Sequence, residues 1–184
     1  MIERSATGPT GRLAAFLADP DGCPLPTVSG RLEITVGEAE HLLGPGARVH
    51  PAWYEPTEWL GSAAPGQLHL VTPMPSTRLH SQFAALEAEV PPARLNAVTA
   101  RDVGVSDGQE VRVVNDRGSC AARIVVTPDV ADGVLVIENG RWLDVDVDGH
   151  CRRGNVNVVT SDRPTSSWGQ ATAAHSCLVR LEPA

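Results

Sequence analysis

Hydrophobic and polar positions alternate with a period of two in several short stretches of the chain, the pattern of half-buried strands. Gln67-Leu-His-Leu-Val-Thr72 predicts one strand, stopped by Pro73, and Glu110-Val-Arg-Val-Val-Asn115 predicts another. Asp116-Arg-Gly118 has the composition of a turn and Ser119–Thr127 that of the return strand, which makes this the clearest hairpin in the sequence. Val134–Glu138 and Cys177–Glu182 predict two further strands, and Arg31-Leu-Glu-Ile-Thr-Val36 one near the N-terminus. Other signals are short. Leu13–Leu17 is a small apolar piece, Ser81–Glu89 suits a short helix ended by Pro91-Pro92, and Asn96–Val103 suits another, capped by Asn96 or Thr99. Between residues 44 and 65 the chain is rich in Pro and Gly and holds Trp53 and Trp59, which predicts irregular structure pinned by aromatic rings. The pattern divides the chain into an N-terminal arm, residues 1–65, and a body, residues 66–184. Short strands separated by turns point to a closed, mainly β architecture with short helices.

Composition narrows the function classes. The 184 residues include 17 Gly and 15 Pro, so turns are frequent, and a hydrophobic fraction of 42% is ordinary for a globular core. A net charge of −7 argues against a general nucleic-acid or anionic-membrane binder. All 15 basic residues are Arg, which removes lysine Schiff-base and Walker-type chemistry. No apolar run reaches the roughly 18–20 residues of a membrane span, and Met1–Gly11 lacks a basic-then-apolar leader, so a cytoplasmic location is expected. Cys23, Cys120, Cys151 and Cys177 form no C-x-x-C pair and are expected to be buried or incidental free thiols, with no metal site.

Four polar segments could carry chemistry. Thr72-Pro-Met-Pro-Ser-Thr-Arg78-Leu-His80-Ser81-Gln82 follows a strand and holds one cation, several hydroxyls and no acid. The planar guanidinium of Arg suits a phosphate, and the alternative is a solvated polar loop. Arg153-Gly154-Asn155-Val156-Asn157, with Thr160, Asp162, Thr165 and Ser166 after it, offers close backbone approach and amide donors and acceptors for a purine or pterin edge; ordinary turns use the same residues. Asp144-Val-Asp146-Val-Asp148-Gly149 matches half of a calcium loop, but its twelfth position is Asn155 rather than Glu, so an acidic face on an extended segment is expected. His80-Ser81 and His175-Ser176 are adjacent pairs, which does not make a triad, and no G-x-S-x-G elbow is present.

Taken in order, these segments resemble one family. Phe16-Leu-Ala-Asp19-Pro20, Pro24-Leu-Pro-Thr-Val-Ser-Gly30-Arg-Leu-Glu33, His50-Pro-Ala-Trp53, Glu55-Pro-Thr-Glu-Trp59-Leu-Gly61, Leu68-His-Leu-Val-Thr72-Pro73, Arg78-Leu-His80-Ser81-Gln82, Val111-Arg-Val-Val-Asn115-Asp-Arg117-Gly118, Gly140-Arg-Trp142, Gly154-Asn155-Val-Asn157-Val-Val-Thr160 and His175-Ser176-Cys177-Leu178-Val179 together are similar to the C-terminal part of the dimethyl sulfoxide, trimethylamine N-oxide and biotin sulfoxide reductase branch of the molybdopterin-dinucleotide oxidoreductases. The resemblance implies a double-psi β-barrel that caps molybdopterin guanine dinucleotide. It implies that Thr72, Arg78, His80, Ser81 and Gln82 lie near the pterin and pyrophosphate, Asn96 near a guanine, and Gly154, Asn155 and Asn157 near a pterin edge. The family places Asp where this chain has Thr99, which removes a charged purine acceptor worth roughly 1–3 kcal/mol. The family's metal-ligating loop and catalytic domains have no counterpart here. The expectation is a stand-alone cap for a separately encoded molybdenum enzyme subunit. The alternative is a barrel that has lost the metal cofactor and binds or transforms another small molecule, as a cyclase or isomerase would, through groups such as Arg78, His80, Asp162 and His175.

Overall fold

The computed structural model describes residues 11–35, 49–86, 90–165 and 170–184. The chain divides into two compact units, Met1–Tyr54 and Glu55–Ala184. In the first unit a short helix, α1 (Arg12–Ala18), leads into turns closed by local polar contacts. The Asp19 carboxylate accepts from the Gly22 N–H at 2.9 Å, Arg31 pairs with Asp21 at 2.5 Å, and Glu33 accepts from the backbone and hydroxyl of Ser29, both at 2.8 Å. The strand expected at residues 31–36 does not form over 31–35, and Val36 lies outside the described residues. Leu32 and Ile34, which alternation would bury, are 74% and 65% exposed. Alternation prepares a strand to pair, but among the described residues no strand pairs with it.

Among its described residues the second unit contains seven strands: β1 (Leu68–Val71), β2 (Pro92–Leu95), β3 (Glu110–Asn115), β4 (Gly118–Val126), β5 (Val134–Ile137), β6 (His150–Cys151) and β7 (Leu178–Pro183). Six close into a ring in the order β1, β5, β2, β4, β3, β7 and back to β1, while β6 pairs in parallel beside the start of β4. The β1–β5 and β2–β4 pairs are parallel and the remaining ring pairs antiparallel. The body is a six-stranded, closed double-psi β-barrel, mainly β with short helices. Closure leaves almost no unpaired edge.

Alternation explains the core. Leu68 and Leu70 of β1, Ala93 and Leu95 of β2, Val111 and Val113 of β3, Ala122 and Ile124 of β4, and Leu135 and Ile137 of β5 all point inward and are at most 2% exposed. The predicted strands at 67–72, 110–115, 119–127, 134–138 and 177–182 are all present within a residue or two. Two strands were not legible. In β2, Pro91-Pro92 reads as a helix stop, yet Pro92 opens the strand, a position where a missing N–H is tolerated. The two-residue β6 is too short to show a period.

The predicted helix at 96–103 is α2 (Ala97–Val103), and Asn96 is its cap. The Asn96 Oδ1 accepts from the Thr99 N–H at 2.8 Å, while its Nδ2 donates to the Val130 carbonyl at 3.1 Å and to Asp132 at 2.5 Å. Gly104, at φ 73°, ends α2 in the left-handed conformation that glycine adopts without steric cost. The helix expected at 81–89 is reduced to a 3-10 turn, Ala84–Leu86, and residues 87–89 lie outside the described residues. No helix among the described residues is long and apolar enough to cross a membrane.

Residues 55–65 belong to the barrel unit. Glu58 ties them there, with both carboxylate oxygens on the Arg117 guanidinium at 2.6 and 2.9 Å and Oε2 also accepting from the Leu178 N–H at 2.8 Å. Arg117 in turn donates from Nε to the Val159 carbonyl at 2.7 Å. Arg117 sits where the hairpin turn was predicted, so one turn residue links the β3–β4 hairpin, the 3-10 turn Val156–Val158 and the segment before β1.

Two substitutions test this description by urea denaturation. Leu70→Ala empties a fully buried site and is expected to cost about 2–5 kcal/mol. Asn96→Ala removes the cap and is expected to cost about 1–2 kcal/mol.

Candidate functional site

Parallel pairing of β1 with β5 brings the C-terminal ends of both strands out side by side, with Val71 opposite Val136. Thr72 follows β1 directly and Asn139 follows β5 after Glu138, and the two exits are tied together. Asn139 Nδ2 donates to the Thr72 carbonyl at 2.9 Å and the Asn139 N–H to the Pro73 carbonyl at 3.0 Å. The loops that continue from these ends bound an open hollow of about 550 Å³. Its lining includes Thr72, His80 and Ser81 from the first loop, residues 139–143 from the second, Asn155 and Asn157 from the 3-10 turn, and Thr172 from the segment before β7. The volume lies in the range of about 300–1,000 Å³ usual for small-molecule sites.

Arg78 fastens the first loop to the second. Its guanidinium donates to the carbonyls of Asn139 at 2.9 Å, Gly140 at 3.0 Å and His80. The Trp142 indole N–H donates to the Ser81 carbonyl at 3.1 Å. The approach is close enough that a side chain at Gly140, φ 84°, would run into the His80 carbonyl. His80 itself holds φ 50°, a left-handed conformation that disfavours a bulky residue and is sustained by these bonds. On the opposite wall Asn155 Oδ1 accepts from the Asn157 N–H at 2.9 Å, which starts the 3-10 turn. Gly154, φ 66°, lets this wall pack on Pro91, because a Cβ there would overlap the proline ring and stand 2.7 Å from the Ala121 carbonyl.

Of the residues singled out by sequence, Thr72, His80, Ser81, Asn155 and Asn157 therefore share one hollow. Arg78 and Gly154 shape its walls without lining it, and Gln82 lies exposed in the turn after it, its N–H donating to the Leu79 carbonyl at 3.1 Å. Asn96 and Thr99 are elsewhere. The Asn96 amide caps α2, and the buried Thr99 hydroxyl accepts from the Gly133 N–H at 2.9 Å beside a separate hollow of about 380 Å³. Sequence reasoning named none of Asn139, Arg141 and Thr172 as a site residue, although Gly140-Arg-Trp142 is among the segments that carry the resemblance. A polar Asn-Gly shortly after an apolar strand was the available signal for Asn139.

The nucleophile candidates form no triad among the described residues. His175 Nδ1 accepts from the Thr72 N–H at 3.3 Å, and its carbonyl meets His69 Nε2 at 2.5 Å. His69 Nδ1 accepts from the Leu60 N–H at 3.2 Å, so both rings are committed to backbone. Asp162 is exposed and does not line the hollow. The acidic run at 144–149 is a tight hairpin rather than an extended face. Asp144 pairs with Arg152 at 2.7 Å, and Asp146 accepts from the N–H groups of Asp148 and His150, both at 3.0 Å, which holds its carboxyl below the usual carboxylate range.

Cys120, Cys151 and Cys177 are buried and Cys23 is exposed, all as free thiols. Burial pushes the Cys120 thiol up to about 12 and raises that of Cys177, although Arg117 opposes the latter shift. Iodoacetamide is thus expected to label Cys23 alone in the native protein and all four cysteines after unfolding, as read by mass spectrometry. The hydrogen bonds from Arg117 hold the Glu58 carboxyl below its ordinary value. A depressed folded-state pKa stabilises above the unfolded value, near 4.3, and that contribution is lost as pH falls through the folded value. Thermal melts across this range should show wild-type protein losing stability below about pH 4.3, with Glu58→Gln less stable at neutral pH and less sensitive to acid.

The sequence was compared with known proteins. Residues 68–178 match the family described as Molydopterin dinucleotide binding domain. The chain is 42% identical over 178 residues to biotin sulfoxide reductase of Cereibacter sphaeroides, covering 92% of this chain and 24% of that protein. It is 38% identical over 187 residues to trimethylamine-N-oxide reductase 1 of Escherichia coli strain K12, covering 93% and 22% respectively. The chain thus spans about a quarter of the length of the curated relatives it matches. Among solved structures, acetylene hydratase from Pelobacter acetylenicus superimposes with a TM-score of 0.66 at 20% identity, over 90% of this chain and 25% of that one, a likeness of fold. With a family match across most of the barrel and relatives from the sulfoxide and N-oxide reductases, the chain belongs to the molybdopterin dinucleotide-binding domain family.

Proposed function

We propose that the hollow at the ends of β1 and β5 receives the heterocyclic part of molybdopterin guanine dinucleotide, and that the chain thereby closes the cofactor site of a molybdenum oxidoreductase whose catalytic domains come from a separately encoded subunit. The observation that carries this reading is the convergence on one hollow of Thr72, Ser81, Asn139, Asn155, Asn157 and Thr172, with Arg141 and no carboxylate among the described lining residues. The donor set suits a pterin. Asn side chains present a donor and an acceptor side by side, hydroxyls do either, and Arg answers an anionic substituent. The bound cofactor supplies the molybdenum redox chemistry. The residues of this chain bind and orient its heterocycle and shield one side of it from water.

The guanine end finds no such fit at Asn96 and Thr99. Both Asn96 Nδ2 bonds go to Val130 and Asp132, and the Thr99 hydroxyl is held by Gly133. Leu79, Phe83, Trp142 and Leu143, between 49% and 70% exposed, stand on the two loops that bound the hollow. A face of this kind suits coverage by a catalytic body. Four free thiols fit a cytoplasmic location.

The test is native mass spectrometry with metal analysis of the protein purified from its own host. The expected result is a complex with a larger subunit that contains molybdenum and a pterin dinucleotide. Asn157→Ala should lower cofactor retention about fivefold, the effect of one lost hydrogen bond of about 1 kcal/mol. Recovery of the chain without molybdenum, holding an unrelated small molecule, would replace this reading with that of a metal-free barrel reused for another ligand. The internal commitment of Asn96 and Thr99 is the observation that favours that second reading.

A further inference from the structure

The wall of the hollow that carries Asn155 and Asn157 is strung between two anchors. At its far end the Val159 carbonyl accepts from Asn115 Nδ2 at 2.8 Å and from Arg117 Nε at 2.7 Å. At its near end the chain leaves β6, where His150 lies beside Ser119 and Cys151 beside Cys120 of β4. Cys151 is fully buried, and its Sγ accepts from the Asn155 N–H at 3.4 Å. A two-residue strand makes few ladder hydrogen bonds, and the His150 side chain adds to them. Its Nδ1 meets the hydroxyl of the buried Ser119, and its Nε2 meets Arg112 Nη1 at 3.4 Å. Arg112 is fixed in its turn, with Nε donating to the Pro183 carbonyl at 3.1 Å and Nη2 paired with Glu182 at 3.5 Å.

These contacts choose a tautomer. A guanidinium only donates, so Nε2 accepts from Arg112, and the ring proton lies on Nδ1, which donates to Ser119 Oγ. Ser119 is then the acceptor of a Ser-His pair, the reverse of a base-activated nucleophile. We propose that His150, as the Nδ1–H tautomer, is a positioning residue of the hollow: it fastens β6 across β4 to Arg112 of β3, and β6 sets where Asn155 and Asn157 stand. That this wall orients a heterocycle rests on the reading that the hollow takes one; the anchoring does not.

The experiment is NMR of the full chain at about pH 8. The ring nitrogens of 15N-labelled His150, assigned with His150→Asn, should carry the proton on Nδ1. Amide hydrogen exchange of Val158, Val159 and Thr160, whose N–H groups bond within the 3-10 turn, reads the wall, and that of Leu70, bonded to the Cys177 carbonyl, reads the core. His150→Ala should speed exchange in the wall about fivefold, the effect of one lost hydrogen bond, and leave Leu70 unchanged. His150→Asn, whose amide can donate to Ser119 from the Nδ1 position, should keep the wall within about twofold of wild type. Titration with 6-hydroxymethylpterin should show His150→Ala binding about fivefold more weakly than wild type. A proton on Nε2 in wild-type protein overturns the proposal whether or not the variants fold, as does unchanged wall exchange in folded His150→Ala or an equal acceleration at Leu70. Failure of wild-type protein to bind the pterin overturns the reading of the hollow as a heterocycle site, and the exchange rates still decide the role of His150.

Discussion

The parallel contact between β1 and β5 is the constraint on which the site depends. Antiparallel neighbours send consecutive loops to opposite ends of a sheet, but a parallel pair sends the two loops that follow it to the same end. Here that geometry sets Thr72 beside Asn139, and the Asn139 amide locks them together through the Thr72 carbonyl. Ring closure holds the pair in place, because each strand has a second partner, β7 for β1 and β2 for β5. The polar hollow is thus the rim of a rigid apolar barrel.

Some polar side chains in this body hold backbone in place, and others line the hollow. Arg78, Asn96, Thr99 and Arg117 are builders, each satisfying buried or half-buried backbone groups that would otherwise be unpaired. Arg141, Asn157, Ser81 and Thr172 line the hollow. The chain has a net charge of −7, yet no carboxylate is among the described residues that line the hollow. Glu58 pairs with Arg117, Glu110 with Arg123 and Asp144 with Arg152, and none of these three acids lines the hollow. Local arrangement outweighs net charge at contact distance.

The same division marks the limit of reading residues by type. Arg78 and Asn96 have the chemistry expected of ligand-binding groups, and sequence cannot distinguish an Arg that clasps three carbonyls from one that faces a cleft. Asn139 and Arg141 follow a four-residue strand and look like an ordinary turn. Their importance comes from β1, more than sixty residues earlier, which is paired with that strand.

What the sequence determined by itself was local. Period-two alternation located β1, β3, β4, β5 and β7, Asp116-Arg-Gly118 located the hairpin turn, and Asn96 marked the start of α2, because each of these depends on neighbours a few residues away. Tertiary structure decided the rest. Among the described residues it gave 31–35 no partner strand, it made Pro92 the first residue of β2 by giving that strand two neighbours, and it gathered loops from four parts of the chain around one hollow. Pairing register and ring closure are long-range, so no window of sequence contains them.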